Sequence, residues 1–375
     1  MHKQKPATPR FIPGLKLSKL FYEKEVRPIL DRDFPKLRYS AALIGWGSEV
    51  LGFDTPLSRD HHWGPRVLLF LSRADYTNLH EKINRTLSLN LPYDFMGYST
   101  SYSQPGSNGV RHPVRINRGP VNHMINIYTT RSFFKARLGI VPAQKLSVAD
   151  WLSFPQQRLL ELTSGAVYHD GLAELEKIRE RLSYYPREVW LYMLAAQWKK
   201  ISQEEAFVGR AGDVGDELGS RVVAARIVRE LMRLSFLMER KYVPYSKWFG
   251  KAFGKLEIAK ELVRPLKEVL QARSWTNREK WLSRAYSSFA QQHNALQITK
   301  PLSTEVSNYF QRPYAVIHAD RFAEAIRKAL RHPELKTIEV GVGSIDQFTD
   351  STTLIENPTL GRKLRTIYTA AKHEE

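Results

Sequence analysis

The stretch "GWGSEVLGFDTPLSRDHHWGPR", residues 45–66, decides how the chain is interpreted. It follows the apolar run "YSAALI" and leads into another, "RVLLFL" (66–71), and both runs predict short strands bounded by glycine. The pair Gly47 and Ser48 follows the first run, and the cluster Asp60-His61-His62 stands just before the second. We therefore expect Ser48 and Asp60 to face one cleft beside a small sheet.

This spacing is typical of a phosphate site with a metal ion. A Gly-Ser pair between a strand and a helix lets backbone N–H groups approach a phosphate, and the hydroxyl and the helix dipole add to the attraction. An acid at the start of the neighbouring strand can hold Mg²⁺ against those phosphates, as phosphoryl or nucleotidyl transfer requires. A purely structural interpretation makes Gly47-Ser48 a helix cap and Asp60 a turn residue, and the spacing alone leaves both open.

The composition indicates the kind of partner. The 375 residues include 57 Lys and Arg against 38 Asp and Glu, a formal net charge of +19. Such a charge favours nucleotides, nucleic acid or an acidic protein surface. The absence of cysteine excludes disulfides, thiolate metal sites and a cysteine nucleophile. No apolar run reaches the roughly 18 residues of a membrane span, and "MHKQKPATPRFIPG" lacks the apolar stretch of a signal peptide. We expect a cytoplasmic protein with no membrane partner.

The pattern of apolar residues changes near residue 145. Up to about residue 130 it predicts alternating helices and strands, including a helix capped by Asp75 and a strand in "VNHMINIYTT" (121–130). Beyond that point capped helices predominate. The predicted fold class is α+β, with a small mixed-sheet domain over residues 1–145. A mostly helical bundle follows over residues 146–375 and ends in a short α/β extension.

Two later stretches are notable. The predicted helix "GSRVVAARIVRELMRLSFLMERKY" (219–242) carries a second stripe made of Arg226, Arg229 and Arg233 beside its apolar one. From Lys241 to Arg284 there are eleven Lys and Arg against four Glu, which is either a solvated basic face or a contact surface for an anion. For "GVGSIDQFTDST" (341–352), which has no strand-to-helix context, we predict a loop.

Gly47-Ser48, an eleven-residue gap and Asp60-x-His62 resemble the signature of the nucleotidyltransferase superfamily that includes DNA polymerase β. The whole string "GSEVLGFDTPLSRDHHWGPR" is similar to a bacterial branch of unknown function within it. Other stretches resemble the same branch: "DWLSFPQQRLLELTSG", "YYPREVWLYMLAAQWKKI", "FVGRAGDVGDELGSR", "PYSKWFG" and "GSIDQF". The resemblance implies that the first domain has a nucleotidyltransferase-like fold.

The resemblance also implies roles for single residues. Gly47 and Ser48 would bind the β- and γ-phosphates of a nucleoside triphosphate. Asp60 would be a catalytic residue that ligates a divalent metal, Mg²⁺ or Mn²⁺, and His62 stands where the second such acid is expected. Lys247 would face the nucleotide from the helical domain. A structural alternative for Lys247 is a surface lysine whose stem packs on Trp248 or Tyr245.

Two departures from the superfamily pattern concern the metal. His62 replaces an acid, and the strand "MINIYTT" offers Asn126 where a third acid is expected. Mg²⁺ prefers oxygen ligands, whereas imidazole suits Zn²⁺ or Mn²⁺ better. No general base is evident, although Glu49, Asp54 or the acids within residues 213–217 could supply one. His61, His62, His112 and His123 form a weak zinc pattern without close helical spacing.

The sequence thus predicts a nucleotidyltransferase that moves a nucleoside monophosphate from a nucleoside triphosphate to an acceptor, with a divalent metal. The acceptor would be anionic, RNA or an acidic protein. The alternative is a catalytically degenerate fold that binds nucleotide, RNA or a protein partner without chemistry, so the enzyme question stays open. A third interpretation, RNA binding through charge alone, predicts a steep salt dependence that does not involve Asp60.

Overall fold

The computed structural model describes residues 9–107, 109–142 and 145–369. Most of the segment behind the signal-peptide argument, residues 1–8, lies outside the described residues. The chain forms two compact units. The first extends to Lys145 and resumes over Arg158–Ser183, and the second comprises Leu146–Gln157 and the chain from Tyr184 onward.

The strands are β1 Tyr39–Leu43, β2 Arg66–Leu71, β3 Asp94–Phe95, β4 Tyr98–Ser99, β5 Met124–Thr129, β6 Ala166–Asp170, β7 Ser307–Tyr309 and β8 Arg312–Val316. The α-helices are α1 Gly14–Phe21, α2 Arg27–Asp33, α3 Arg73–Asn90, α4 Thr130–Leu138, α5 Val148–Ser153, α6 Gln156–Thr163, α7 Leu175–Arg181, α8 Arg187–Glu204, α9 Phe207–Asp213, α10 Glu217–Met238, α11 Ser246–Phe253, α12 Ala259–Gln271, α13 Trp275–Ala295, α14 Asp320–Ala329, α15 Pro333–Thr337, α16 Ile345–Phe348, α17 Thr352–Glu356 and α18 Pro358–Lys363. A π-helical turn, Tyr22–Val26, joins α1 to α2, and 3-10 turns occupy Pro56–Asp60 and Leu364–Tyr368.

The first unit is built on a four-stranded mixed sheet in the order β5-β2-β1-β6. β1 runs antiparallel to β2 and β6, whereas β2 runs parallel to β5. β1 and β2 are buried along their whole length. Their continuous apolar sequences follow from cover on both faces, because neither face needs polar side chains. One face packs on α1, α2 and α3, and on the other Phe70 packs edge-on against Phe133 of α4, with ring centroids 5.1 Å apart.

The α+β class predicted from the sequence is confirmed, and two details differ. Helix α3 is capped by Ser72, whose hydroxyl accepts the N–H of Asp75, so Asp75 lies in the first turn and is not the cap. Residues 158–183, predicted within the helical segment, belong to the first unit and supply β6. β6 is short and mostly half-buried, so it has neither the apolar run nor the strict alternation that identifies a strand in a sequence.

The second unit is mainly helical. α8 lies at its centre and buries Trp190 and Trp198 against its neighbours α10 and α14. Each buried indole N–H has an acceptor: Trp190 donates to the carbonyl of Leu237 and Trp198 to Nδ1 of His293. The prediction of a loop in "GVGSIDQFTDST" was wrong for part of this stretch, because its centre forms the single turn of α16, whose cap Ser344 is buried.

Among the described residues, no helix has the length and apolar character needed to cross a bilayer.

His123, in the first unit, makes the free energy of unfolding depend on pH. It is buried, Nε2 lies 3.2 Å from the carbonyl of Asn84, and Nδ1 accepts the N–H of Ile125. Burial lowers the pKa of His123 to about 4, so between pH 6.5 and 4 mainly the unfolded chain takes up the proton. We expect the urea midpoint to fall as the pH drops through that window. His123→Gln should flatten the slope, His169→Gln at an exposed site should not, and equal slopes in all three proteins would contradict the assignment.

Candidate functional site

The Gly-Ser turn, residues 45–52, follows β1 but leads into no helix. The N–H of Gly52 donates to the carbonyl of Glu49 at 3.1 Å, and the N–H of Phe53 donates to the carbonyl of Ser48 at 2.8 Å. Gly47 and Gly52 have φ of +133° and +69°, values that do not continue a right-handed helix. The expectation that a helix begins here was wrong. Any anion at Ser48 would meet a turn and not the end of a helix dipole.

A buried ion pair between Arg66 and Glu49 holds this turn in place. Arg66, the first residue of β2, donates from Nε to Oε1 of Glu49 at 2.8 Å and from Nη2 to the carbonyl of Trp46 at 2.8 Å. The two charged side chains are only 3% and 4% exposed. A Cβ at Gly47 would lie 2.7 Å from Glu49 Oε2 and would also collide with the Arg66 guanidinium. The ion pair therefore fixes the turn and requires glycine at position 47.

The Ser48 hydroxyl is available to a ligand. Ser48 is partly exposed, and the part of the chain that the structure describes places no hydrogen-bond partner on its hydroxyl. Its backbone carbonyl is used within the turn. The serine identified from the sequence thus has a free donor at the surface of the turn.

Arg137 of α4 is a second free donor at the same turn, and the sequence analysis did not identify it. Its guanidinium lies about 3.0 Å from the point where a side chain at Gly45 would begin. Nε is buried and has no partner among the described residues, and the guanidinium carbon lies 4.1 Å from the centre of the Phe133 ring. Arginine 92 positions beyond Gly45 gives no local pattern, so only the fold brings it to the turn.

Neighbouring groups extend the positive charge around this turn. The N–H of Gly45 donates to the carbonyl of Glu161 at 2.8 Å, and the Glu161 side chain pairs with Arg158 at 2.8 Å. Together with Arg66, three arginines surround two glutamates at this end of β1. Two of the three are committed to ion pairs, which leaves Arg137 as a cation suited to an incoming anion.

Asp60 ends the 3-10 turn that precedes β2. Its side chain is 66% exposed, and Oδ2 lies 2.9 Å from Nδ1 of His61. Burial alone would raise the pKa of Asp60, but the hydrogen bond and charge of His61 and nearby backbone N–H groups together outweigh burial, so the pKa is lowered. The carboxylate is therefore ionised at neutral pH and accessible, and its contact in the structure is His61, not His62.

His62 has an unusual environment. Its φ is +50°, and its ring meets that of Trp46 edge-on at 4.8 Å. Burial first, then the nearby His61 and Arg66, lower the pKa of His62. Nδ1 is buried and has no hydrogen-bond partner within the described chain. A neutral imidazole with a free nitrogen can ligate a metal or accept a proton.

The protein offers at most two of the metal ligands predicted from the sequence, Asp60 and His62. Among the described residues, no group of three or more His, Asp or Glu is arranged to hold a metal ion. Asn126 lies on β5 directly opposite Leu68 of β2, so the adjacent strand supplies an amide and not a third acid. His112 is one of the four histidines of the predicted zinc pattern. Its Nδ1 lies 2.9 Å from the backbone carbonyl of Asp60, which is a structural contact.

The acids considered as a general base are engaged elsewhere. Asp54 Oδ2 accepts the N–H of Gly14 at 2.7 Å and the indole N–H of Trp63 at 3.1 Å, and Glu49 is held by Arg66. In the second unit, Asp216 caps α10 and Glu217 pairs with Arg278. These carboxylates have structural roles.

Comparison with known proteins gives two matches. Residues 151–249 match the model of a family described as "Domain of unknown function (DUF4037)". Among solved structures, the chain is similar to a nucleotidyltransferase-like protein from Exiguobacterium sibiricum, with 9% identity over 82% of this chain and 89% of that one and a TM-score of 0.30. No curated protein matches the chain.

The matched DUF4037 segment begins after the Gly-Ser turn and ends just beyond Lys247. Lys247 lies in the first turn of α11 and is exposed, and its ammonium is 5.0 Å from the centre of the Trp248 ring. The structural alternative placed the stem of Lys247 on Trp248 or Tyr245, whereas the observed contact with Trp248 is that of the ammonium. Contact of Lys247 with a nucleotide stays a prediction.

Proposed function

We propose that this chain is a nucleotidyltransferase that binds the phosphates of a nucleoside triphosphate at the Gly-Ser turn and transfers the nucleoside monophosphate to an anionic acceptor. The observation that carries the proposal is the pair of unused donors at one turn, the Ser48 hydroxyl and the buried Nε of Arg137. A buried guanidinium nitrogen without an acceptor is costly, and a phosphate oxygen would supply one.

The remainder of the turn suits a polyanion. Gly45, at φ of +91°, allows the Arg137 guanidinium to approach the backbone of the turn closely, and Gly47, at φ of +133°, does the same for the Arg66 guanidinium. Arg66 and Arg158 are paired with Glu49 and Glu161, so within the described chain Arg137 supplies the unpaired positive charge at the turn, and the net charge of +19 favours the approach of a triphosphate. Serine and arginine are among the groups that phosphate sites use.

Asp60 and His62 are the proposed ligands of a divalent metal. The orphaned Nδ1 of His62 and the ionised, accessible carboxylate of Asp60 fit such an ion, since Mg²⁺ and Mn²⁺ commonly take few protein ligands beside substrate phosphates and water. The ion, when bound, would neutralise charge that develops on the phosphates. Imidazole in place of a carboxylate favours Mn²⁺ over Mg²⁺.

A second candidate function is binding without chemistry. Asn126 in place of an acid on β5, together with the structural roles of Glu49 and Asp54, leaves the turn without an evident general base. In that case the same turn would hold a nucleotide, and RNA or an acidic protein would be the partner of the basic surface. Release of pyrophosphate from a nucleoside triphosphate distinguishes the two candidates.

The binding test compares Ser48→Ala and Arg137→Met with the wild-type protein by calorimetric titration of each nucleoside triphosphate with Mn²⁺. A hydrogen bond to a charged group contributes about 1.5–3 kcal/mol, so each variant should bind roughly ten- to a hundred-fold more weakly. Lys247→Ala belongs in the same series as a test of its predicted contact.

The matched control is Arg131→Met, on the exposed side of the same helix α4. Its affinity should be close to wild type, and circular dichroism melting checks that every variant is folded. Unchanged affinity in both Ser48→Ala and Arg137→Met would exclude the Gly-Ser turn as the nucleotide site.

A further inference from the structure

The second unit contains a small cavity that the proposed function does not use. Its volume is about 70 Å³, and its lining includes Arg229 and Arg233 of α10, Ser246 at the start of α11, and Asp346 and Asp350 around α16. A cavity of this size holds several water molecules or one small polyatomic ion. Two guanidinium groups and two carboxyl groups share this small space, so the occupant depends on which of these groups lacks a partner.

Arg233 gives the strongest indication that the cavity binds an anion. It is only 9% exposed, and its Nη1 donates to the backbone carbonyl of Asp346. Its Nε is buried and has no hydrogen-bond partner in the described part of the chain. Burying a guanidinium donor without an acceptor is unfavourable, so the wall of the cavity presents a donor that a bound anion would satisfy.

Arg229 stands where the cavity opens. It is 38% exposed, and its Nη2 donates to Oδ2 of Asp350 at 2.8 Å, while Asp350 itself is 72% exposed. An exposed ion pair contributes little to stability. An anion at the opening can therefore replace the Asp350 carboxylate on Arg229 at small cost.

The N-terminus of α11 forms another part of the wall. The eight-residue helix begins at Ser246, an exposed residue that lines the cavity, and the backbone N–H of the preceding residue is held by the side chain of Gln157 at 2.9 Å. The first N–H groups of a helix have no partner within it and carry partial positive charge. Ser246 and Phe249 of this helix line the same small space as Arg233.

We propose that this cavity binds a phosphate group, either free phosphate or the phosphate of a phosphomonoester, held by Arg229, Arg233 and the start of α11. Planar guanidinium groups bind phosphate oxygens in pairs, and a helix N-terminus favours the same charge. This site lies wholly within the second unit and is independent of the function proposed for the Gly-Ser turn.

Asp346 is the group that opposes an anion here. Its Oδ2 accepts the N–H of Gln156 at 2.8 Å, and burial raises the pKa of Asp346 to about 6. Asp350 at the opening is the other carboxylate of the lining. A carboxyl that takes up a proton near neutral pH reduces the repulsion that a bound phosphate would meet.

Three stretches noted in the sequence meet at this cavity. They are the arginine stripe of α10, "PYSKWFG" at the start of α11, and "GSIDQF" in α16. More than half of the lining falls within residues 151–249, the segment that matches DUF4037. A phosphate site accounts for the convergence of these separate stretches.

The test titrates the full-length protein with inorganic phosphate and with glycerol 3-phosphate by calorimetry at constant ionic strength. We expect saturable binding that Arg229→Gln and Arg233→Gln each weaken about tenfold or more. Asp350→Asn should tighten it severalfold, because it removes the carboxylate that competes for Arg229. The tighter ligand of the two identifies whether a free ion or an ester is preferred, and either order supports the proposal.

Arg226→Gln is the matched control. Arg226 lies on the same helix, is 60% exposed and pairs with Glu204 at 2.6 Å outside the cavity lining, so its loss should leave affinity unchanged. If Arg233→Gln fails to fold, the affinities of Arg229→Gln and Asp350→Asn decide whether the cavity binds phosphate. An absence of saturable binding, or an equal effect of Arg226→Gln and Arg229→Gln, overturns the proposal. Binding that is lost in Ser48→Ala but kept in the cavity variants would assign the phosphate to the Gly-Ser turn instead.

Discussion

Arg66→Met should lower the free energy of unfolding of the first unit by about 3–5 kcal/mol, because it leaves the Glu49 carboxylate buried without its partner. Arg66 and Glu49 are 3% and 4% exposed, so solvent does not screen the loss. The substitution also removes the hydrogen bond to the Trp46 carbonyl and the contact of the guanidinium with the Trp46 ring, at 4.3 Å. Urea unfolding followed by tryptophan fluorescence measures the change.

A double-mutant cycle isolates the charge effect. Glu49→Gln combined with Arg66→Met should recover part of the stability, since no uncompensated charge then remains in the interior. Arg73→Met, at an exposed arginine that begins α3, is the matched control and should change stability by less than about 0.5 kcal/mol. If Arg66→Met costs no more than Arg73→Met, the ion pair does not hold the Gly-Ser turn.

For an active nucleotidyltransferase, Asp60→Asn should abolish pyrophosphate release, because it removes the one accessible carboxylate of the proposed metal site. His62→Asp should raise turnover with Mg²⁺ and reduce the preference for Mn²⁺, since oxygen replaces nitrogen as a ligand. The measurement is pyrophosphate release from each nucleoside triphosphate with either metal.

The affinity of the proposed site for a metal ion should fall when the pH is lowered. Protonated imidazole cannot ligate a metal, and burial lowers the pKa of His62. Metal affinity of the wild type should therefore be retained to a pH below the ordinary histidine range of about 6.5 and be lost at lower pH. Asp31→Asn, at an exposed carboxylate of α2, controls for a general loss of negative charge. If neither the wild type nor His62→Asp turns over any nucleotide, binding without chemistry is the better account.

Much of the fold could be predicted, because the sequences of β1 and β2 are recognisable as strands. Both are short apolar runs, β1 followed by Gly45 and β2 preceded by Gly64, and burial on both faces produces such runs. β6 could not be predicted in the same way. It joins the sheet beside β1 across more than 120 residues of sequence, and half-buried positions give it no clear period.

The candidate site was predicted only in part. Gly47, Ser48 and Asp60 could be identified by their spacing, but the turn after Ser48 depends on backbone angles that a Gly-Ser pair does not specify. Arg137 was missed, because its proximity to Gly45 arises from the packing of α4 on the sheet. The orphaned Nδ1 of His62 depends on local burial, which the identity of the residue alone does not reveal.

The return of residues 158–183 to the first unit has a consequence for synthesis of the chain. While the ribosome makes residues 146–157, the nascent sheet still lacks β6, and β1 has an unpaired edge. Exposed strand edges readily pair with other chains, so the edge of β1 stays open to such pairing until β6 has been made. The first unit can close only after part of the second has already been synthesised.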